Sequence, residues 1–319
     1  MKLAVMNPDR WALVGLDSSG RHLLERWSVR ADFPLVAVCD PSPERRAWAQ
    51  RRNLTTAASL PDLLDTLDID GVILTRSPRQ PSDDLKLALQ RRLKVLVEDE
   101  LGPNVQIAGE LAEAAQAPAG VFQLHQGDQD FAAAQAAVAS QRLGRLCTLR
   151  FTSCELGLAD DAHRSDDEPS WKTPLYQSAT AIFEQMLLLT GKSPVGVQAW
   201  ADDATAGFHA RIEMPDRLTV WLDLQWACAN GLRTGWVIDG AAGAYRQGRL
   251  YSLADDRELL EETMAPAVDV LEDTMAELRR LAADPAAARQ SLERSLERIA
   301  LREAIAESIV SGQRVDIRR

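Results

Sequence analysis

The chain has 319 residues, of which 46% are hydrophobic and 26% are charged, and this size and composition support two domains with separate cores. Its 47 acidic residues against 36 lysines and arginines give a formal net charge of -11, which argues against general affinity for nucleic acid or anionic membranes. No apolar run approaches the roughly 20 residues that a membrane span requires, so we expect a soluble, cytoplasmic protein. The four cysteines, Cys39, Cys147, Cys154 and Cys228, form no CxxC pair, which predicts reduced thiols and no metal site.

Residues 11–120 alternate short apolar runs with amphipathic stretches, a pattern typical of parallel strands joined by crossover helices. The predicted strands are 12–15, 35–39, 71–74, 95–97 and 120–124, and the predicted helices are 20–29, 43–52, 60–67, 82–92 and 104–116. Ser42 before Pro43 supports one of these helices, because it supplies an N-cap followed by proline at the first helical position. The sequence therefore predicts a doubly wound parallel sheet of the Rossmann type over residues 1–122.

The pattern changes after Gly127, where the chain predicts helices over 131–143 and 175–190, a strand over 147–154 and then a run of longer strands. The segment 218–226 alternates apolar and polar side chains, which predicts an antiparallel strand with one buried face. Segments 208–214 and 232–238 are predicted as its neighbours. Residues 268–311 are helical by composition, with a break at Asp284-Pro285. We therefore predict a second, α+β domain over residues 123–319 with a largely antiparallel open sheet.

A turn at the end of the first predicted strand occupies the place of the dinucleotide fingerprint GxGxxG. The predicted cofactor-binding residues of this region are Gly15, Asp17, Ser18, Ser19, Gly20 and, at the end of the second strand, Asp40. Asp17 replaces the second glycine and places a negative charge where phosphates would lie. Two unit charges about 5 Å apart repel by roughly 3 kcal/mol at an effective dielectric constant of about 20, or about a hundredfold in affinity. Two interpretations remain. The turn is either kept only as part of the Rossmann fold after cofactor binding weakened, or it is a functioning cofactor site with altered geometry.

Several segments, in their order and spacing, resemble the Gfo/Idh/MocA family of glucose-fructose oxidoreductases, inositol dehydrogenases and MocA-like proteins. They are 36–41 (VAVCDP), 68–74 (DIDGVIL), 94–98 (KVLVE), 143–145 (LGR), 236–243 (WVIDGAAG) and the carboxy-terminal stretch 302–315. The resemblance implies the two-domain fold, NAD or NADP as cofactor, and a small sugar-like substrate in the cleft between the domains. It also implies that Ser77, Pro78 and Glu98 contact the nicotinamide side of the cofactor.

In the family the open face of the second sheet commonly forms the subunit contact, so the resemblance implies a homodimer. On the predicted strand 218–226 this face carries Trp221, whose large ring is a plausible anchor for an interface. Coverage of Trp221 by the terminal helices is the alternative.

The positions that carry the family's chemistry depart from its pattern. The Glu-Lys-Pro motif, whose lysine assists proton transfer, reads Glu98-Asp99-Glu100, and Ala181 stands at the position of the histidine. An anion in place of a cation reverses the electrostatic help for a developing alkoxide. The remaining candidate catalytic residues are Lys172, Glu98, Asp99 and Glu184, although the pattern around Lys172 favours a solvated loop residue over a catalytic one.

These departures predict a divergent oxidoreductase-like protein with impaired or absent NAD(P) binding, in effect a pseudoenzyme of the family. The alternative is an active NAD(P)-dependent oxidoreductase that uses a rebuilt site.

Overall fold

The structure is a computed structural model that describes residues 9–27, 35–75, 83–123, 129–154, 169–172, 174–202, 206–225, 233–253, 259–264 and 270–317. The chain divides into two compact units, residues 1–126 with 271–296, and residues 127–270 with 297–319. The sequence predicted one boundary near residue 122, and the assignment of 271–296 to the first unit differs from that division. The apolar face of this segment explains the difference, because Met275, Leu278 and Leu281 pack into the first unit's core. Helical composition alone does not indicate which core an amphipathic helix joins.

The first unit is built from alternating strands and helices. They are β1 (Trp11–Val14), α1 (Ser18–Trp27), β2 (Leu35–Cys39), α2 (Pro43–Gln50), β3 (Thr55–Ala57), α3 (Leu60–Leu64), β4 (Gly71–Leu74), α4 (Asp83–Gln90), β5 (Lys94–Glu98), α5 (Val105–Ala114) and β6 (Ala119–Phe122). These six described strands form a parallel sheet in the order β3-β2-β1-β4-β5-β6. This confirms the predicted doubly wound sheet, to which the structure adds β3. The strand order reverses between β1 and β4, the place where such sheets bind ligands.

Continuous burial of the central strands explains why they read as apolar runs in the sequence. All four residues of β1 and all four of β4 are buried. Gly71 is required by close packing, since a Cβ there would lie 2.5 Å from the Trp11 ring. Ser42 caps α2 as predicted, because its side chain accepts a hydrogen bond from the Arg45 N–H at 3.3 Å.

The second unit begins with a helix and continues mainly as strands. Its elements are α6 (Gln129–Ala139), β7 (Leu146–Cys154), a π-helical segment (Pro174–Ser178), α7 (Ala179–Thr190), β8 (Gly196–Asp202), β9 (Gly207–Glu213), β10 (Thr219–Gln225), β11 (Arg233–Gly240), β12 (Gly243–Arg246), β13 (Arg249–Leu253), β14 (Leu259–Thr263) and β15 (Val315–Asp316). Two long helices, α8 (Val270–Ala283) and α9 (Pro285–Ser311), flank the predicted break at Asp284. Of α9, residues 297–311 belong to this unit.

The described strands of the second unit form one mixed, largely antiparallel sheet in the order β14-β13-β12-β11-β7-β10-β9-β8-β15. β9 is an antiparallel neighbour of β10, as predicted. The prediction that segment 232–238 neighbours β10 is wrong, because β7 lies between β10 and β11 and runs parallel to β10. Alternation along a strand identifies its buried face and carries no information about which strand lies beside it.

Asp130 connects α6 to the sheet through several hydrogen bonds. Its Oδ2 accepts from the Trp236 N–H at 2.7 Å, and its Oδ1 accepts from the Tyr245 hydroxyl at 2.7 Å. Gly235 has a φ of +64°, and a Cβ there would lie 2.2 Å from Asp130 Oδ2. The close approach therefore requires glycine at this position.

Two serines of α9 accept hydrogen bonds from strand amides that lie at or near sheet edges. Ser291 Oγ accepts from the N–H of Val121 in β6 at 2.9 Å, and Ser308 Oγ accepts from the N–H of Ala199 in β8 at 2.9 Å. Each serine satisfies a backbone donor that sheet pairing leaves open. Among the described residues, no helix has both the length and the apolar composition needed to cross a membrane.

Candidate functional site

The turn between β1 and α1 retains the backbone architecture of a dinucleotide fingerprint. Gly15 has a φ of +99°, and its N–H donates to the Cys39 carbonyl at 2.8 Å. A Cβ on Gly20 would lie 2.1 Å from the Gly15 oxygen and 2.9 Å from Thr75 Oγ1. Only glycine therefore fits at position 20, which is the role of the third fingerprint glycine in packing the helix against the sheet.

Asp17 is the N-cap of α1. Its Oδ1 accepts a hydrogen bond from the Gly20 N–H at 3.0 Å, and its carbonyl accepts from the Arg21 N–H at 3.0 Å. A carboxylate at this position is stabilised by the positive end of the helix dipole. The side chain is half-buried, as is Ser19, whereas Ser18 is exposed. Asp17 therefore uses one of the amides that a helix N-terminus offers to an anionic ligand.

Asp40 links the end of β2 to the same turn. Its Oδ2 accepts from the Leu16 N–H at 2.7 Å and its Oδ1 accepts from the Ser42 N–H at 2.8 Å. The Asp40 side chain is fully buried, and Arg45 Nη1 lies 3.5 Å from Oδ2. Both carboxylate oxygens are therefore bound to the backbone of the turn and of the α2 cap.

Glu98 ends β5 and is only 5% exposed. The pKa of its carboxyl group is raised to about 9, chiefly by burial and also by the nearby charges of Asp99 and Asp17, while a hydrogen bond with Ser19 opposes the shift. Its Oε2 is enclosed and has no hydrogen-bond partner. At neutral pH the group is therefore a neutral carboxylic acid, unlike an ordinary glutamate.

Asp99 follows Glu98 in the left-handed region, with a φ of +67°. Its N–H donates to the Phe122 carbonyl at 2.9 Å, and its carbonyl accepts from Gln123 Nε2 at 3.0 Å. These bonds hold a conformation that non-glycine residues adopt infrequently. We call Asp17, Ser19, Glu98 and Asp99 the acidic cluster. Among the described residues, no group of three His, Cys, Asp or Glu side chains is arranged to hold a metal ion.

The two other candidate catalytic residues belong to the second unit. Lys172 is half-buried, and its N–H donates to the Pro169 carbonyl at 3.1 Å. Glu184 lies within α7, is 5% exposed and forms a buried ion pair with Arg298 of α9. That pairing assigns Glu184 to the core of its unit and does not support the catalytic role predicted for it. Ser77 and Pro78, predicted to contact the nicotinamide, lie outside the described residues.

Two residues of these sites were not found from the sequence. Thr75 follows β4, and its Oγ1 donates to the Gly15 carbonyl at 2.9 Å, which fixes the fingerprint turn to the neighbouring strand. The sequence feature that could have indicated Thr75 is its position directly after a buried strand, where the strand order of the sheet reverses. No local sequence pattern indicated the ion pair of Arg298, because its partner Glu184 lies 114 positions away in the sequence.

Residues 10–125 match the model of the oxidoreductase family with an NAD-binding Rossmann fold, GFO_IDH_MocA. The amino-terminal part of this chain belongs to the Gfo/Idh/MocA family. The Gfo/Idh/MocA match covers the fingerprint turn, Asp40 and all members of the acidic cluster. No curated protein matches the chain by sequence.

Solved structures share the fold over nearly the whole chain. An oxidoreductase from Agrobacterium radiobacter in complex with NAD+, L-tartaric acid and magnesium has a TM-score of 0.80 at 16% identity, covering 98% of this chain and 99% of that chain. A scyllo-inositol dehydrogenase from Lactobacillus casei with bound NAD(H) and scyllo-inositol has a TM-score of 0.74 at 16% identity, covering 98% and 99%. A probable dehydrogenase from Thermotoga maritima has a TM-score of 0.76 at 16% identity, covering 97% and 99%. At these identities the likeness concerns the fold alone.

Proposed function

We propose that this chain is a Gfo/Idh/MocA-type protein that does not bind NAD or NADP tightly and does not transfer hydride by the family's lysine and histidine chemistry. Asp40 carries this proposal. Both of its carboxylate oxygens accept backbone N–H groups, and its side chain is fully buried, so it is not exposed to a ribose hydroxyl. A bound dinucleotide would have to displace the residues that bury this carboxylate to reach it.

Asp17 supports the same conclusion at the phosphate position. Its carboxylate occupies the Gly20 N–H and brings a negative charge to the turn. Repulsion of roughly 3 kcal/mol at about 5 Å then corresponds to about a hundredfold loss of affinity for a pyrophosphate.

The proton-transfer groups of the family are also absent at the matching positions. Asp99 stands where relatives carry the lysine, and Ala181 stands where they carry the histidine.

One observation favours the alternative of an active NAD(P)-dependent oxidoreductase with a rebuilt site. Glu98 is a neutral acid beside the lysine position and has a proton to donate. In that alternative, Glu98 would protonate the substrate oxygen.

Titration with NADH and NADPH, followed by tryptophan fluorescence, tests the proposal, since the chain has eight tryptophans. We expect no saturation by either nucleotide below about 1 mM, which corresponds to a binding free energy weaker than about -4 kcal/mol. Saturation of the wild type at micromolar nucleotide would refute the proposal and favour the alternative.

Asp17→Asn separates the charge of Asp17 from its structural role, because asparagine also caps helices. We expect this variant to gain up to about a hundredfold in affinity for NADH over the wild type. Asp284→Asn is the matched control, since Asp284 accepts a hydrogen bond from the Ala286 N–H at 2.9 Å at the start of α9. It removes an equal charge at a different helix and should leave the affinity unchanged.

We also infer that the chain forms a homodimer through the open face of the second sheet. The support is aromatic surface: Trp221 is half-buried on this face, and Trp200 is 46% exposed and stacks on His209 with ring centroids 5.6 Å apart. Sedimentation at micromolar concentration should give a dimer that Trp200→Asp with Trp221→Asp dissociates. Val310→Asp, at an 80% exposed residue of α9, is the control. A monomeric wild type would contradict this inference.

A further inference from the structure

The open face of the second sheet carries four neighbouring side chains at the middle of β7 and β10. The two strands are parallel, and their register pairs Arg150 with Trp221 and Thr152 with Asp223. Arg150 is exposed and the other three are half-buried. The residues that lie between them along each strand are fully buried, namely Phe151 and Leu222. Because side chains alternate across a strand, the four share the face that the core leaves open. We call them the central quartet.

One positive charge of the central quartet is left without compensation. On the neighbouring strand β9, Arg211 Nη1 lies 3.3 Å from Glu213 Oε1, and His209 Nδ1 lies 2.7 Å from Asp223 Oδ1. Arg150 makes no ion pair with any other residue that the structure describes. Asp223 is 30% exposed, and a carboxylate accepts several hydrogen bonds, so it has room for a second donor. The face therefore offers one cation and one carboxylate to a molecule that covers it.

The positions of these two charges fit a second copy of the same face. Arg150 and Asp223 are one strand and two residues apart, which separates them by about 8 Å on the sheet. Two identical sheets that pack face to face are related by a two-fold axis in the plane between them. An axis midway between Arg150 and Asp223, and perpendicular to the line that joins them, places Arg150 opposite the partner's Asp223 and Asp223 opposite the partner's Arg150. With ordinary strand spacings the same axis passes within about 2 Å of Trp221, so Trp221 faces the partner's Trp221.

We propose that a second copy of this chain covers the open face through two reciprocal ion pairs, each between Arg150 and the partner's Asp223, on either side of a central pair of Trp221 rings. This inference rests on the homodimer inferred above and adds the register of its interface. Each ion pair occurs twice, as a two-fold interface requires, and tryptophan and arginine are enriched among the residues that contribute most to binding. The ion pairs also select the register, because an arrangement that places Arg150 opposite the partner's Arg150 is repulsive.

Complementation between two charge-reversal variants tests the proposal, with the dimer dissociation constant measured by sedimentation equilibrium. Arg150→Glu and Asp223→Lys should each weaken the dimer at least about a hundredfold, because each variant places two pairs of like charges across its own interface. An equimolar mixture of the two variants should dimerise within about tenfold of the wild type, because both pairs in the mixed dimer are again of opposite charge. Each variant keeps its own defects in the mixture, including the loss of the His209 contact in Asp223→Lys. Recovery therefore reports contacts between the two chains.

Arg289→Glu is the control, since Arg289 is 83% exposed on α9 in the first unit, and it should dimerise like the wild type. Arg150→Ala removes the charge without reversing it and should weaken the dimer about tenfold, which tests the ion pair even if Asp223→Lys fails to fold in a thermal unfolding check.

Single variants that dimerise like the wild type, or a mixture as weak as its components, would overturn the proposed register while leaving the homodimer in place. A monomeric wild type would remove the register and the homodimer together. Neither result bears on nucleotide binding, which the NADH titration tests separately.

Discussion

Replacement of Glu98 by glutamine should stabilise the protein, and the gain should increase with pH. Burial raises the pKa of Glu98 from 4.5 to about 9 in the folded state. Between these values the folded protein binds one more proton at this position than the unfolded chain does, so stability falls as pH rises and levels off above about pH 9. Glutamine mimics the neutral acid at every pH and therefore lacks this loss.

The size of the stabilisation expected for Glu98→Gln follows from the pH interval over which the folded and unfolded chains bind different numbers of protons. Each pH unit above the unfolded pKa contributes about 1.4 kcal/mol, so the full effect at pH 7.5 is roughly 4 kcal/mol. Water penetration and local relaxation reduce the effective shift of a buried carboxyl, and we expect an observed gain of about 2 to 4 kcal/mol for Glu98→Gln at this pH. At about pH 4 the variant and the wild type should be nearly equal in stability.

Urea unfolding measured at pH 5 and pH 8.5 provides the assay, with each unit's transition analysed separately because a two-unit chain need not unfold in one step. Glu113→Gln is the control, since Glu113 is an exposed residue of α5 in the same unit. It should follow the wild-type pH dependence. If Glu98→Gln follows it as well, Glu98 is ionised in the folded protein and the account of the acidic cluster is wrong.

Three further substitutions test the packing that supports the two units. Arg298→Met removes the ion pair with the buried Glu184 and should destabilise the second unit by about 3 to 5 kcal/mol in urea unfolding. The double variant that also carries Glu184→Leu should recover most of the lost stability. Gly235→Ala meets a φ of +64° and a Cβ 2.2 Å from Asp130 Oδ2, and should lower stability by at least about 1 kcal/mol; an unchanged midpoint would contradict the close approach. Ser291→Ala removes the acceptor of a buried β6 amide and should speed hydrogen exchange at that amide, with a loss of about 1 to 3 kcal/mol.

The parallel sheet was predictable because its strands are buried on both faces. β4 is a short, continuous apolar run with a glycine at its start, which is typical of a strand buried on both faces. β3 escaped prediction because Thr55–Ala57 is only three residues long and two of the three are threonine. The position of β7 between β10 and β11 was out of reach, since strand neighbours depend on long-range pairing rather than on local pattern.

For the candidate site, the sequence indicated the positions of the proposed residues along the chain but not the surroundings or protonation states of their side chains. Asp40 was placed correctly at the end of a strand, but the direction of its carboxylate depends on backbone amides 24 and 2 positions away. Glu98 was identified by resemblance, whereas its neutral form depends on burial by the assembled sheet and on Asp17, far away in the chain. Spacing does not encode either property, because both arise from three-dimensional surroundings.

The arrangement of Asp17 and Asp40 bears on how readily the turn would return to dinucleotide binding. Neither carboxylate is simply an obstacle, since one caps α1 and the other ties the Leu16 and Ser42 amides together. Hydrogen bonds to charged groups contribute about 1.5 to 3 kcal/mol each, and loss of a helix cap costs about 1 kcal/mol. Asp17→Gly would therefore remove the repulsion and weaken α1 at once, while Asp40 would still face inward. Removal of the charge alone, with the cap kept by asparagine, is accordingly the more informative change, because any gain in nucleotide affinity then reports the charge and not a loosened turn.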